Sequence, residues 1–530
     1  MTTPPTPAVD LPGAGPGDRP NRDLMVAVKG GGILFAGQVF EQVSGLVFAI
    51  FMGRFLGAGD YGVYKLALTI VFAVSVLATL GLAGGMTRFI PLARLMKSDA
   101  RIWGVIQLGT GVPVAIGIVA AVAIILTAEP VSIGIFEEPA LVSVLMLVAL
   151  AIPVHAANLS LAAVVQGFKQ VKYEFYAQDI TFNALKLVLS VGAILLGFGV
   201  MGVTIAYVAA EVAALLLLFY FVNRLFSFFR SFRSADRPTR EMFNFSLPLF
   251  GSQFLNQFGR RFETIILGIF GVMTDVGVYS VILIISDVGN RAYMALRKIS
   301  GPIFAELHEA GKKKELRTVY QAISKWALMT NLPFFAIIVL FSEGLLEIFG
   351  SDFILGAEGL IILSCGTLLN AATGACGTLI SMIGRSRLTM LNSAIYLVAT
   401  IGIDLLLIPS YGLLGAAWAG SLTIMLVNVI RLFQVYYLLD GLLPFNLSFL
   451  KPIAAIIGVY FFISWLRPMV FTDEPIVQFV ILGFLTFALY VGAVLALGIS
   501  HEDRAIARRV FGKMRKRKEK RNQMKQRNDS

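Results

Sequence analysis

The chain has 530 residues, of which 57% are apolar and only 14% charged, with a mean hydropathy of +0.80. A soluble domain carries about 25% charged residues, so composition excludes a soluble fold and leaves a polytopic membrane protein. The net charge of +12 and two cysteines, Cys365 and Cys376, offer neither a disulfide framework nor a metal cluster.

Residues 1–30 are polar and rich in Pro and Gly, with no apolar core behind a basic start. They predict a disordered cytoplasmic arm, not a signal peptide. Fourteen apolar stretches follow, at 33–53, 61–83, 102–127, 141–165, 177–198, 202–223, 245–269, 276–297, 322–342, 357–382, 389–408, 412–438, 449–466 and 476–499. Each is close to the roughly 20 residues a helix needs to cross a bilayer. The fold class is therefore all-α and polytopic, with about fourteen transmembrane helices. Its expected parts are an N-terminal six-helix bundle at 31–226, a basic cytoplasmic linker at 227–241, a second bundle at 242–440, two additional helices at 441–500 and a basic tail at 501–530.

Charge placement sets the orientation. Of 44 Lys and Arg, 38 fall in the termini and one alternating set of loops with the helix ends that flank them, two in the other set and four elsewhere inside spans. The positive-inside rule then puts both termini in the cytoplasm of a multi-pass inner (cytoplasmic) membrane protein. The opposite loops are all short, and Glu137-Glu138 there reads as a solvated acidic turn, so no outer domain is present to hold a catalytic site. No enzyme activity, cofactor or metal is expected. The tail, KMRKRKEKRNQMKQR, lacks aromatic residues and predicts contact with anionic lipid, not nucleic acid.

The phrase GRFLGAGDYGVY at 53–64 returns as GIFGVMTDVGVY at 268–279. Shifting the chain by 215 residues aligns 34–64 with 249–279 without a gap, and 11 of 31 positions are identical, intramembrane glutamines included. Six spans separate the copies, so both run in the same direction. Two parallel, pseudo-symmetric six-helix bundles are expected, with a binding site near the midplane between them. Within the phrase, Asp60 and Asp275 are candidate caps for the next helix, and Gly62 and Gly277 permit close packing at its start.

Polar residues at membrane depth carry the functional reading. Span 1 has Gln38, Glu41 and Gln42 on one helical face, and span 7 has Gln253, Asn256, Gln257 and Arg260 at the equivalent places, followed by Arg261 and Glu263. Both stripes predict a wet, shared cavity. A charge at the bilayer centre costs about 2.5–3.5 kcal/mol, so Arg260 and Arg261 either form interhelical ion pairs with Glu263 or Asp287, or bind an anion. A guanidinium suits phosphate because it forks onto two oxygens and stays charged when desolvated. Lys186 and Arg291 are further cationic candidates. Glu41, Glu263 and Asp287 are candidates for coupling to a proton or sodium ion, or for balancing charge. Glu211 and Asp404 have no evident partner, and His155, beside Pro153, reads as a packed residue.

Several stretches, in this order, resemble the polysaccharide (Wzx-type, O-antigen) flippases of the MOP transporter superfamily. They are GRFLGAGDYGVY, GLAGGMTRF, VVQGFKQVKYEF, FSLPLFGSQ, LGIFGVMTDVGVYS and SMIGRSRLTMLNSAIYLVATIGIDLLLIPSYGLLGAAWA, within residues 25–440. The resemblance implies a MATE-like pair of bundles that moves a polyprenyl-diphosphate-linked oligosaccharide to the outer leaflet by alternating access. It places Arg260 and Arg261 in a cationic cavity for the diphosphate sugar. Glu263 stands where such proteins often have Asp. The implied partners are the lipid-linked oligosaccharide, membrane lipids, a proton or sodium gradient or the membrane potential, and envelope glycosyltransferases or polymerases. No Walker lysine motif is present, which argues against ATP hydrolysis by the chain itself. The alternatives are a drug or cation antiporter, which would favour an acidic cavity, a lipid II flippase, and a non-transporting scaffold.

Overall fold

The computed structural model describes residues 19–226, 235–469 and 475–497, with side chains from residue 36 onward except at 249, 252, 253, 291–293, 295, 296, 298, 299 and 475. No strand occurs among the described residues. The helices are α1 (Arg19–Thr79), α2 (Leu82–Leu95), α3 (Asp99–Gly134), α4 (Pro139–Ala149), α5 (Ala151–Gly167), α6 (Lys172–Glu174), α7 (Asn183–Leu195), α8 (Gly199–Leu225), α9 (Thr239–Phe270), α10 (Met273–Ser286), α11 (Val288–Glu309), α12 (Lys313–Glu347), α13 (Ala357–Ala372), α14 (Cys376–Met382), α15 (Ser386–Leu438), α16 (Leu450–Leu466) and α17 (Pro475–Ala496). A π-helical stretch, Phe175–Phe182, joins α6 to α7. Helix α1 begins at Arg19, inside the stretch expected to be a disordered arm, with Pro20 in its first turn, where a missing N–H does no harm. Residues 1–18, 227–234 and the basic tail lie outside the described residues.

Among the described residues, ten helical segments are long and apolar enough to cross a membrane. Two of them, Ala36–Thr79 and Ser386–Leu438, have 44 and 53 residues. At 1.5 Å per residue each exceeds about 60 Å, twice the roughly 30 Å hydrocarbon thickness. Both are broken at a glycine with positive φ, Gly57 (φ 77°) and Gly412 (φ 52°). Each glycine lies between two predicted spans or at the start of the second, so α1 and α15 each cover two. The predicted seventh and eighth spans are helical, as α9 and α10–α11, but are not among the ten.

By their internal packing, residues group into two compact units. The first takes Met1–Phe48, Val74–Ile125 and Leu147–Phe250, and the second Ala49–Ala73, Leu126–Met146 and Gly251–Ser530. In the first, a buried core joins Leu82, Met86 and Ile90 of α2 to Trp103 and Ile106 of α3, Val164 of α5 and Leu218 of α8. Residues 235–241, the end of the expected linker, are pinned to α3. Asp236 N–H donates to the Ala100 carbonyl, and Arg101 pairs with Glu241 at 2.7 Å. A Cβ on Gly104 would overlap the Asp236 carbonyl. Gly104→Leu is therefore expected to undock this segment, read as faster tryptic cleavage at Arg237 and Arg240 with the rest of the chain intact. In the second unit, α16 and α17 cover α12 through Leu332, Ala336, Val459, Ile463 and Leu482. Tyr490 Oη donates to the Met329 carbonyl at 3.0 Å.

The repeated phrase meets itself inside the second unit. A Cβ on Gly62 would overlap the Met273 carbonyl, and one on Gly277 would overlap the Ala58 carbonyl. Residues 58 and 273, like 62 and 277, are 215 apart, so α1 and α10 cross with each copy's glycine against the other copy's backbone. Asp275 acts differently from the expected cap. Asp275 lies in the first turn of α10, after the N-cap Val272, and its carboxylate accepts from the Val272 N–H. That is the returning half of a capping box.

Candidate functional site

In the first unit, the polar stripe of α1 leaves Gln38 and Glu41 exposed and Gln42 half-buried. Glu41 lies in electrostatic reach of Lys186, on α7. The Lys186 ammonium sits 5.1 Å from the Phe48 ring centroid and 5.0 Å from that of Phe182, and donates to Asn183 Oδ1 at 3.3 Å. Asn183 closes the π-helical stretch. Its Nδ2 donates to the carbonyls of Gln178 at 3.2 Å and Asp179 at 2.9 Å, groups that a π-turn releases from regular pairing. A Cβ on Gly37 would overlap the Asp179 carboxylate, so that glycine lets Asp179 approach α1 beside Glu41.

A buried network lies deeper in the same unit. Pro153 has no N–H for the Ala149 carbonyl and its ring crowds that group, and the chain breaks between α4 and α5 there. His155 follows. Its Nδ1 is 3.0 Å from Glu211 Oε1, Tyr207 Oη donates to the same oxygen at 3.1 Å, and Asn158 Nδ2 donates to Oε2 at 2.6 Å. Gln178 donates to the Asn158 carbonyl at 3.2 Å. Glu211, without a partner in the sequence reading, is thus fully engaged, and His155 is a hydrogen-bonding residue, not only a packed one. Their spacing of 56 residues carries no local signal.

In the second unit, the adjacent arginines part. Arg261 is half-buried. Its Nη1 donates to the carbonyl of Gln257 at 2.9 Å and to that residue's Oε1 at 3.1 Å, and its guanidinium lies 5.7 Å from the Phe72 ring centroid. Arg260 is exposed and in electrostatic reach of Glu263. Asn256 Nδ2 donates to Ser393 Oγ at 2.9 Å. Asp287 accepts from Asn290 Nδ2 at 2.8 Å. The side chains of Gln253 and Arg291 lie outside the described residues.

Glu263, 7% exposed, accepts from Tyr279 Oη at 2.5 Å. Tyr279 is the final tyrosine of the repeated phrase. Asp404 of α15 interacts electrostatically with Glu263. It is 0% exposed, and neither of its carboxylate oxygens has a hydrogen-bond partner among the described residues. Two buried carboxylates facing each other in membrane helices would hold a proton or a small cation. The sequence shows both acids, but only the fold brings them together.

These helices, stripes and the crossing of repeat on repeat define a multi-pass membrane protein with the fold of the MOP-superfamily transporters. The inward-facing conformation of a multidrug resistance MATE family transporter has a TM-score of 0.66 at 16% identity, covering 76% of this chain and 94% of that one. The lipid II flippase MurJ, inward closed conformation, has a TM-score of 0.64 at 15% identity, covering 87% of this chain and 98% of that one. At such identity the likeness shows the fold. A probable low-salt glycan biosynthesis flippase, Agl15, of Haloferax volcanii is 25% identical over 205 residues, which are 38% of this chain and 42% of that protein. The match thus spans less than half of that relative. Residues 27–308, more than half of the chain, match the family described as polysaccharide biosynthesis protein. The chain belongs to that family.

Proposed function

We propose that the protein moves a polyprenyl-diphosphate-linked oligosaccharide from the cytoplasmic to the outer leaflet by alternating access, for assembly of a surface glycan. One observation carries the choice of an anionic head group. No carboxylate oxygen of the described residues lies within 4.0 Å of the side-chain nitrogens of Lys186, Arg260 or Arg261. Among the described residues these three cations on membrane helices thus have no carboxylate in ion-pair contact, which opposes the ion-pair reading of the arginines. A diphosphate would supply the missing charge. The names of the relatives, a glycan flippase and a polysaccharide biosynthesis family, favour a lipid-linked glycan over a drug.

In this reading Arg260 contacts the diphosphate, and Arg261 is held by Gln257 and Phe72 to shape the helix around it. Lys186 is the cation of the first unit. Gln38, Gln42, Asn256 and Gln257 are hydrogen-bonding groups for sugar hydroxyls, and Glu263 with Asp404 couples transport to a proton or sodium gradient. The test is leaflet exchange of a fluorescent polyprenyl-diphosphate oligosaccharide in proteoliposomes. Arg260→Ala is expected to lower substrate affinity about 10- to 100-fold, the range of a lost charge-assisted contact, with an unchanged unfolding midpoint. Arg261→Ala is expected to lower the midpoint as well. Full flipping by Arg260→Ala would remove Arg260 from the site. Absence of flipping by wild type under any ion gradient would remove the function.

A further inference from the structure

We propose that His155 and Glu211 form a proton-binding site whose occupancy sets how strongly Lys186 attracts an anionic head group. The inference deepens the proposed function and rests on its reading of Lys186 as an anion-binding residue.

The network is built to serve either protonation state. As a carboxylate, Glu211 receives Asn158 Nδ2 at 2.6 Å, Tyr207 Oη at 3.1 Å and His155 Nδ1 at 3.0 Å. Asn158 is itself buried, and its Oδ1 has no hydrogen-bond partner among the described residues. An amide can present either face. Turned over, the same side chain puts Oδ1 where Nδ2 now lies, to accept the O–H of a protonated Glu211, in exchange for the bond that Nδ2 gives the Glu211 main-chain carbonyl at 3.0 Å. His155 has the same freedom. Its Nδ1 donates to a carboxylate in one tautomer and accepts from a carboxylic acid in the other. A carboxylate kept only to tie helices needs donors alone. This one has two neighbours that act as donor or acceptor, on a helix freshly broken at Pro153.

Charge links the pair to the substrate side. Lys186 of α7 is in electrostatic reach of Glu211 of α8 and Glu41 of α1. Asp179 of the π-helical stretch faces Glu41 and Glu174 of α6. Of the charged groups, Lys186 reaches Glu211 itself, Tyr207 donates to it directly, and Glu41 and then Asp179 and Glu174 follow outward from Lys186. An ionised Glu211 offsets part of the field of Lys186. A proton taken up by the pair removes one negative charge and leaves Lys186 more attractive to a diphosphate. By linkage a bound diphosphate must favour proton uptake by the same factor. Proton and anion therefore bind together.

The experiment uses the full chain in lipid nanodiscs with geranyl diphosphate as probe, between about pH 8 and pH 5.5, the range of imidazole titration. The probe's own protonation affects every variant alike, so affinities are read relative to Glu211→Gln. That variant is expected to bind the probe at every pH as wild type does at low pH. The wild-type deficit is expected to be about fivefold or more at the alkaline end, the lower range of site-to-site coupling, and to vanish at the acid end. Lys186→Ala should abolish the difference. The chain has three histidines, so nitrogen-15 histidine spectra compared with His155→Gln isolate His155, whose tautomer signature should change in Glu211→Gln. Glu211→Gln preserves volume and keeps one acceptor oxygen in the network, and its unfolding midpoint beside that of wild type separates loss of the site from loss of folding. A wild-type to Glu211→Gln ratio that is flat with pH overturns the proposal. So does a His155 resonance that is the same in wild type and in Glu211→Gln. Probe binding that is equally strong without Lys186 and Arg260 overturns the underlying anion-site reading instead.

Discussion

Gly62→Val and Gly277→Val are each expected to lower the unfolding midpoint sharply and to abolish flipping, and the double variant is expected to be little worse than either alone. Each glycine lies against a backbone carbonyl of the other repeat, Gly62 on Met273 and Gly277 on Ala58. A carbonyl in a helix cannot rotate away as a side chain can, so the helices must separate. Overpacking a tight site costs about 1–3 kcal/mol, and more when backbone has to move. Both substitutions push the same two helices apart along the same crossing. Once the first has separated them, the second meets open space, so their energies should fall well short of additive. Fluorescence-detected thermal unfolding of the four-member cycle measures this. A disulfide checks the crossing independently. A Cβ on Gly59 would have Thr274 Oγ1 as its nearest atom across the crossing, at 3.8 Å, so the two side chains face each other with room for a disulfide's S–S bond. Gly59→Cys with Thr274→Cys should therefore cross-link on mild oxidation. Additive energies together with no cross-link would mean that α1 and α10 do not cross here.

The two glycines show why part of this fold was legible. A 215-residue repeat is a local pattern written twice, and hydropathy with charge asymmetry finds helices because lipid forces each segment to satisfy its own backbone. The π-helical stretch was not legible. Its cause is the Asn183 amide capping two carbonyls, and an asparagine in an apolar run has many possible uses. The site was legible as single residues and not as pairs. Gln257 and Arg261 sit one turn apart and could be joined from sequence. Glu211 with His155 and Asp404 with Glu263 depend on which helices become neighbours. The choice between Arg260 and Arg261 turned on Phe72, far away in the chain.

Asp404→Asn is expected to make the protein more stable and to uncouple it from ions. The Asp404 carboxylate is 0% exposed and has no hydrogen-bond donor among the described residues, and its electrostatic neighbour is another carboxylate, Glu263. Glu263 is better served, with Tyr279 Oη at 2.5 Å. Asparagine keeps the shape, removes one of two acids that compete in the same buried place and adds a donor that can face Glu263. Relieving a poorly compensated buried charge stabilises by about 1–4 kcal/mol in comparable replacements. Glu263→Gln should help less, because it weakens the charge-assisted bond from Tyr279. A protein that keeps Asp404 despite this penalty gains a place for a cation to bind, and stability is commonly given up at such sites. Wild type should then be stabilised by its coupling ion through mass action, by about 2.7 kcal/mol at one hundred times the dissociation constant. Unfolding midpoints in sodium and in potassium, each at acid and alkaline pH, identify the ion. Stabilisation by sodium at alkaline pH that disappears in Asp404→Asn assigns sodium. Stabilisation by acid alone assigns the proton. An Asp404→Asn protein no more stable than wild type, with flipping still driven by the same gradient, would leave Asp404 without a part in coupling.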